Sequence, residues 1–287
     1  MNITPISYND SAIPGRYTLT QRVRDHDKNF PTRQTEVLAS REEIAALVRD
    51  GYLIRECLLP SREIATLRAA MDETVAGDTN LETMGGKAFG GIFIRHLMDK
   101  HPAFLGLLKF APTLSIARAV FGPYVQNRGL TGRVVYPDSP NTATEWHFHQ
   151  RLIPDPMPPW LMRPQTLDVL LYLDDITDVS GPLCVVPGSH NWLEVDMPAH
   201  NHGDLPGQKI IKVPAGSVVL CHGALWHRAL PTQPNAPVRR LLLWSYGPGW
   251  GKQAIYGVKP ENGLTQQLLA ERPDEETREL LGTAGFM

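Results

Sequence analysis

The spacing of apolar residues changes near residue 125. Before that point it is mostly helical. Ser40-Arg-Glu-Glu43 is a capping-box pattern. Ile44, Leu47 and Val48 supply the apolar stripe of the helix it opens. Gly51 stops that helix, and Tyr52-Leu-Ile-Arg55 reads as a short strand. Ser61 then caps a second helix, with Ile64, Leu67, Met71 and Val75 on one face. Residues 78–92 are Gly-rich and read as a loop, and 102–120 reads as a helix broken near Pro112. Residues 1–36 are polar and mixed without a strong period, which predicts an arm or irregular lead-in.

Beyond residue 125, short apolar runs alternate with Pro, Gly, Asn and Asp clusters. The runs are 133–136, 146–149, 167–173, 183–186, 209–213, 217–221 and 239–246. Short strands punctuated by turns predict an antiparallel sandwich or barrel. Pro214-Ala-Gly216 is a turn leading into a buried strand, Ser217–Cys221. The stretch Pro154–Trp160 has too many prolines for a regular element and reads as a loop and candidate lid. The expected organisation is an arm, 1–36, followed by one domain, 37–287, whose β core covers about 125–250. There is no internal repeat.

Composition narrows the class. Hydrophobic residues are 42% and charged residues 20%, ordinary values for a soluble enzyme. The net charge is −2 and no basic run appears, which argues against nucleic acid as a partner. No apolar window is long enough for a membrane span. The N-terminus lacks a signal pattern. Cys57, Cys184 and Cys221 are widely spaced, as expected of buried free thiols in a reducing cytoplasm. A homo-oligomer is left open.

The chemistry-bearing stretch is Trp146-His147-Phe148-His149, together with the distant His227. On a strand, residues two apart share a face. Two imidazoles on one face, met by a third from another strand, make a three-nitrogen metal site for iron, copper, zinc or nickel.

Several segments then carry a family resemblance. They are Asp50-Gly-Tyr-Leu-Ile54 before a capped helix, Gly181-Pro-Leu-Cys-Val-Val-Pro-Gly-Ser-His190, Pro214-Ala-Gly-Ser-Val-Val-Leu220, and His222-Gly-Ala-Leu-Trp-His227-Arg228. Together with Arg239 they resemble the phytanoyl-CoA dioxygenase-like branch of the iron(II)/2-oxoglutarate-dependent oxygenases, over about residues 38–247. The resemblance implies a mainly β fold with flanking helices, the double-stranded β-helix, a squashed jelly-roll barrel. It implies Fe(II) as cofactor, 2-oxoglutarate as cosubstrate, and O2 and a small molecule as reactants. It carries His147 and His227 over as metal ligands and Arg239 as the residue that binds 2-oxoglutarate.

The sequence departs from the family at one ligand. The family's face is two histidines and a carboxylate, and the carboxylate position here is His149. Three readings follow. His149 ligates and the face is all-histidine; a carboxylate arrives from elsewhere, with Glu145 the nearest candidate; or the site is degenerate. Three neutral ligands remove a negative charge from the metal, so metal affinity is expected to lean on the dianionic cosubstrate. Family halogenases have a small residue where His149 stands, so halogenation is not expected.

Other residues have humbler readings. Arg239 and Arg240 must point to opposite sides of a strand, so only one can face a pocket. A guanidinium fork there suits the distal carboxylate of 2-oxoglutarate. Arg133 stands on a strand leading to the site and is a second candidate cosubstrate contact, with a surface ion pair the plain alternative. Arg151 could guard the entrance. Trp146, Phe148 and Trp226 alternate with the histidines and read as core. His222 reads as structural or supporting, and His190 as fixing a turn.

Three functions from different classes remain. The first is an Fe(II)/2-oxoglutarate-dependent dioxygenase that hydroxylates, desaturates or epimerises a small molecule or natural product. The second is a three-histidine oxygenase whose substrate itself chelates the metal. The third is a pseudoenzyme of the same fold. Cys-x-x-Cys, Gly-rich nucleotide and Gly-x-Ser-x-Gly motifs are absent.

Overall fold

A computed structural model describes residues 3–22, 32–77, 91–137, 139, 142–149, 165–192, 195–198, 200–251 and 260–284. The chain begins with strands β1 (Tyr17–Arg22) and β2 (Thr32–Val37), then α1 (Arg41–Asp50), β3 (Tyr52–Arg55), α2 (Ser61–Gly77), β4 (Ile92–Ile94) and α3 (Leu97–Lys100). A 3-10 helix, Pro102–Lys109, leads to α4 (Ala111–Phe121) and the long strand β5 (Val125–Val135). The β-rich half continues with β6 (Leu167–Tyr172), β7 (Leu183–Val185), β8 (Lys209–Ile211), β9 (Val218–His222), β10 (His227–Ala229) and β11 (Arg239–Pro248). Two short helices, α5 (Leu264–Ala270) and α6 (Glu275–Leu280), follow.

Local chemistry explains the helical half. Ser40 Oγ accepts from Glu43 N at 3.1 Å, and Glu43 Oε2 accepts from Ser40 N at 3.1 Å, so the capping box is complete. Gly51, at φ +82°, ends α1 in the left-handed region. Glu43 also holds buried Arg55 of β3, at 3.0 Å, which ties α1 to the sheet. Ser61 is the first residue of α2, not its cap, and the carbonyl of Pro60 accepts from Glu63 and Ile64. The chain breaks at Phe110, and Pro112 sits in the first turn of α4, where a missing N–H costs nothing.

Two antiparallel sheets face one another. The larger has the order β3-β9-β6-β11-β5-β4 and the smaller β10-β7-β8. Side-chain alternation divides β6. Leu167, Val169 and Leu171 join Leu67, Met71, Leu97, Phe104 and Leu107 in a core between the sheet and the helices. Leu170 and Tyr172 point the other way and pack with Leu183, Val185, Ile211, Val219 and Leu241 between the sheets. Every residue of β6 is therefore buried, as a strand covered on both faces must be. Gly132 permits the close approach of the helices: a Cβ there would lie 2.8 Å from Leu97 and 2.9 Å from Met71.

The fold is the expected jelly-roll architecture, with the helices on the outside of one sheet. Three expectations need correction. Among the described residues the two sheets do not join into a closed barrel. Residues 146–149 are not a regular strand; His147 makes a single bridge to His227, and the backbone is held by Thr144 N to Ala229 O and His149 N to Gly223 O. The arm is not wholly irregular, since β1 and β2 pair as an antiparallel ribbon from Tyr17↔Val37 to Arg22↔Thr32. Tyr17 and Leu19 of β1 and Val37 of β2 pack on the core, an apolar alternation too short to mark two strands. The proline-rich loop Pro154–Trp160, Arg151 and most of the Gly-rich stretch lie outside the described residues.

No single helix among the described residues is long and apolar enough to cross a membrane. The bent pair 102–109 and 111–121 passes on length and composition together, and its Phe104, Leu107, Leu108 and Ile116 are fully buried in the core.

Candidate metal centre

The three histidines meet at one end of the space between the sheets. His227 starts β10, and His147 faces it through reciprocal backbone hydrogen bonds of 2.9 and 3.0 Å. His149 lies beyond, its backbone N–H on the carbonyl of Gly223 at 2.7 Å. Ring centroids are 4.3 Å apart for His147–His227, 4.7 Å for His149–His227 and 5.3 Å for His147–His149. One ring nitrogen from each lies within 4.8 Å of the others.

Each imidazole is oriented by its Nδ1. His147 Nδ1 lies 2.8 Å from Glu145 O, His227 Nδ1 2.8 Å from Leu225 O, and His149 Nδ1 3.0 Å from Asp168 Oδ2. Carbonyl and carboxylate oxygens only accept, so each Nδ1 carries the proton. In the neutral ring Nε2 is then the lone-pair nitrogen, the arrangement that histidine ligands show. Burial, reinforced by the neighbouring His147 and His149, pushes His227 well below the ordinary imidazole range and keeps it neutral.

Asp168 escaped the sequence reading. It lies in the apolar run Leu167–Leu173 and is 4% exposed. Its cross-strand partner on β11 is Ser245, whose hydroxyl donates to Oδ1. Burial acts to raise its pKa, but its pairing with His149 and the Ser245 hydroxyl outweighs it and holds the carboxyl below its ordinary value. The available signal was a lone acid inside a strand with no other polar residue before Tyr172.

Glu145, the alternative carboxylate, turns outward. Its side chain is 44% exposed and pairs with His200 at 3.2 Å and His202 at 3.7 Å. Only its backbone carbonyl serves the histidines.

Arg239 and Arg133 lie deeper, on adjacent strands of the large sheet. Arg133 is paired in register with Leu241. It is buried, donates to Thr142 O at 3.0 Å and lies over the Phe93 ring, so the plain surface ion pair is not its role. Burial, then the charge of Arg239, pulls its pKa down to about 9. Burial also lowers Arg239, opposed by Tyr172 beside it. Arg239 Nη1 donates to Gly181 O, while Nε and Nη2 find no partner among the described residues. Thr232 Oγ1 is likewise buried and unpartnered. Gly181, at φ +70°, keeps the space between them open, since a Cβ there would lie 2.7 Å from Thr232 Oγ1 and 2.9 Å from Arg239 Nη1. Buried donors without acceptors mark a place for an anion.

Most of the remaining residues fall as expected. Trp146 and Trp226 form a separate core with Cys184 and Val186, backed by Phe148, on the outer side of the small sheet. His190 Nε2 sits 3.0 Å from Val48 O and fixes its turn. His222 stacks on it at 4.7 Å, accepts from Ala224 N, and is pushed down to about 3, chiefly by burial. Cys184 and Cys221 are the buried free thiols expected, but Cys57 is exposed, which corrects the expectation that all three are buried.

The chain is similar to known proteins. The ectoine dioxygenase of Bordetella parapertussis (strain 12822 / ATCC BAA-587 / NCTC 13253) is 30% identical over 168 residues, covering 53% of this chain and 49% of that protein. The chain thus spans about half the length of the curated relatives it matches. Among solved structures, the non-haem alpha-ketoglutarate-dependent carbocyclase SnoK from nogalamycin biosynthesis superposes with a TM-score of 0.59 at 20% identity, covering 81% of this chain and 90% of that one. HygX from Streptomyces hygroscopicus, with nickel and 2-oxoglutarate bound, gives 0.60 at 20% identity, covering 75% and 90%. At these identities the structural likeness is one of fold. Residues 47–240 match the phytanoyl-CoA dioxygenase (PhyH) family, more than half of the chain, and the chain belongs to that family.

Proposed function

We propose that this protein is a non-haem Fe(II)/2-oxoglutarate-dependent oxygenase acting on a small organic molecule. His147, His149 and His227 would hold the metal through Nε2. Arg239, with Arg133 beside it, would receive the distal carboxylate of 2-oxoglutarate. The observation that carries this reading is a convergent pair of features. Three oriented imidazoles bring one ring nitrogen each within 4.8 Å of the others, and Arg239 keeps Nε and Nη2 unpartnered among the described residues.

The donor set fits iron(II), a frequent partner of imidazole nitrogen. Bound there, the metal would supply the redox chemistry that couples decarboxylation of 2-oxoglutarate to oxidation of a substrate. The chain's own contribution is placement. Glu145 O, Leu225 O and Asp168 fix the three rings. Arg239 would hold the cosubstrate's distal carboxylate through a charge-assisted fork. Leu170, Val219 and Leu241 keep water from the space between the sheets. HygX with hygromycin B bound and SnoN with nogalamycin RO bound support a substrate of natural-product size.

A second reading, a three-histidine oxygenase that dispenses with 2-oxoglutarate, is favoured by the missing ligand carboxylate and opposed by Arg239. A degenerate barrel is opposed by the same retained residues. The test is incubation with Fe(II), 2-oxoglutarate and O2, following succinate, with His147→Ala and Arg239→Ala as controls. Succinate from the wild type alone is expected. Iron binding without 2-oxoglutarate binding would favour the second reading, and binding of neither would sink both.

A further inference from the structure

Asp168 is a buried anion with no cation of its own. It is 4% exposed and flanked by Leu167 and Val169 on a strand covered on both faces. Among the described residues no lysine or arginine pairs with it; its contacts are His149 Nδ1 at 3.0 Å and the Ser245 hydroxyl. A buried carboxylate without a compensating charge is expensive. The charge must come from the far side of the His149 ring, either as a second proton or as a metal on Nε2. The rings of His147 and His227, 5.3 and 4.7 Å away, face that same nitrogen cluster. A proton there would be repelled by any metal that the other two histidines hold.

We propose that Asp168 is the positioning residue of the metal centre, and that it supplies through His149 the negative charge absent from the three ligands themselves. The inference rests on the metal-centre reading above. Asp168 holds the His149 ring in the Nδ1–H tautomer and fixes its plane. The imidazole bonded to a carboxylate becomes a more basic ligand. Ser245 holds the second carboxylate oxygen, so the anion cannot swing to the metal. The centre therefore carries the charge of a two-histidine, one-carboxylate site, displaced outward by one ring. A divalent ion is thereby half compensated before the cosubstrate binds, so its affinity leans less on the cosubstrate than three neutral ligands alone would require.

The test is anaerobic titration of the full-length apoprotein with cobalt(II), followed by calorimetry and visible absorption. The variants are Asp168→Asn, Ser245→Ala, His149→Ala and the two doubles with His149→Ala. Each is run with and without 2-oxoglutarate. Asp168→Asn should weaken cobalt binding about 10–100-fold, and Ser245→Ala less. Neither should weaken it further once His149 is gone. Cobalt affinity of Asp168→Asn should depend on 2-oxoglutarate more than that of the wild type. If Asp168→Asn fails to fold, judged by circular dichroism, the Ser245→Ala and His149→Ala cycle reads the same coupling. Wild-type affinity in Asp168→Asn, or an undiminished loss in the double variant, would overturn the proposal. So would full affinity in His149→Ala with loss in Asp168→Asn, which would make the carboxylate itself the ligand. A wild type that binds no cobalt would refute the metal-centre reading instead.

Discussion

Arg239 and Arg240 are neighbours in the chain and lie on opposite faces of the large sheet. Arg239 points between the sheets, 3% exposed, with Nε and Nη2 unpartnered among the described residues. Arg240 points to the helices and is held by Asp72 of α2 at 2.8 Å and by Asp174 at 3.3 Å. The pleat of β11 thus buries one guanidinium between the sheets and gives the other to fastening a helix.

Alanine substitution should separate the two roles. Arg239→Ala is expected to weaken 2-oxoglutarate binding by roughly 2–5 kcal/mol, the cost of leaving a buried charged partner unpaired, with little change in melting temperature. Arg240→Ala is expected to cost about 1 kcal/mol of stability and to leave 2-oxoglutarate binding alone. Calorimetric titration and thermal melts check both. The opposite assignment of effects would mean that Arg240 is the binding arginine.

Replacing His149 by the family's carboxylate should fail unless Asp168 changes with it. His149→Asp would put a second carboxylate beside buried Asp168, where like charge disfavours ionising both. His149→Asp/Asp168→Asn should bind cobalt(II) more tightly than His149→Asp at neutral pH. Metal titrations of both variants decide it; equal affinities would show that Asp168 does not sense position 149.

Acid should destabilise the apoprotein through His222. Its folded pKa is depressed to about 3 by burial, against about 6.5 for an unperturbed imidazole. The unfolded chain takes up the proton first as pH falls. Stability is therefore full above about pH 6.5 and is lost as pH drops toward the folded value. His222→Asn, which can keep an acceptor for Ala224 N, should flatten the fall in melting temperature between pH 6.5 and 4. An unchanged slope would move the effect to other groups.

Gly51→Ala should be costly on two counts. The residue sits at φ +82°, and an added Cβ would lie 2.4 Å from His190 Nδ1. A loss of more than about 1 kcal/mol is expected, read from denaturant unfolding. A smaller loss would mean that the His190 turn yields easily.

The helices were legible because their signals are local. The capping box Ser40–Glu43, the stop at Gly51 and the stripe Ile64–Leu67–Met71 lie within a few residues of one another. An antiparallel sandwich or barrel was legible because short apolar runs between turn residues have few other solutions, and the family resemblance narrowed it to a jelly roll. The ribbon β1–β2 was not, since its apolar alternation is confined to Tyr17 and Leu19, with only Val37 at the end of β2. The 146–149 segment misled for a related reason: its side chains alternate as in a strand, yet it pairs with His227 at one bridge only.

By itself, the sequence determined which residues could meet at the centre: His147 and His149 two apart, His227 on a facing strand, and one of Arg239 and Arg240 inward. These follow from the period of two in extended chain, a property of the backbone. Only the tertiary structure decided what stands behind the ligands. Glu145 is close to His147 in sequence and turns to the surface, whereas Asp168 reaches His149 across the gap between segments. Periodicity tells which face a side chain takes. Hydrogen-bond distance between distant segments depends on sheet order and register, which packing sets only when the whole chain folds.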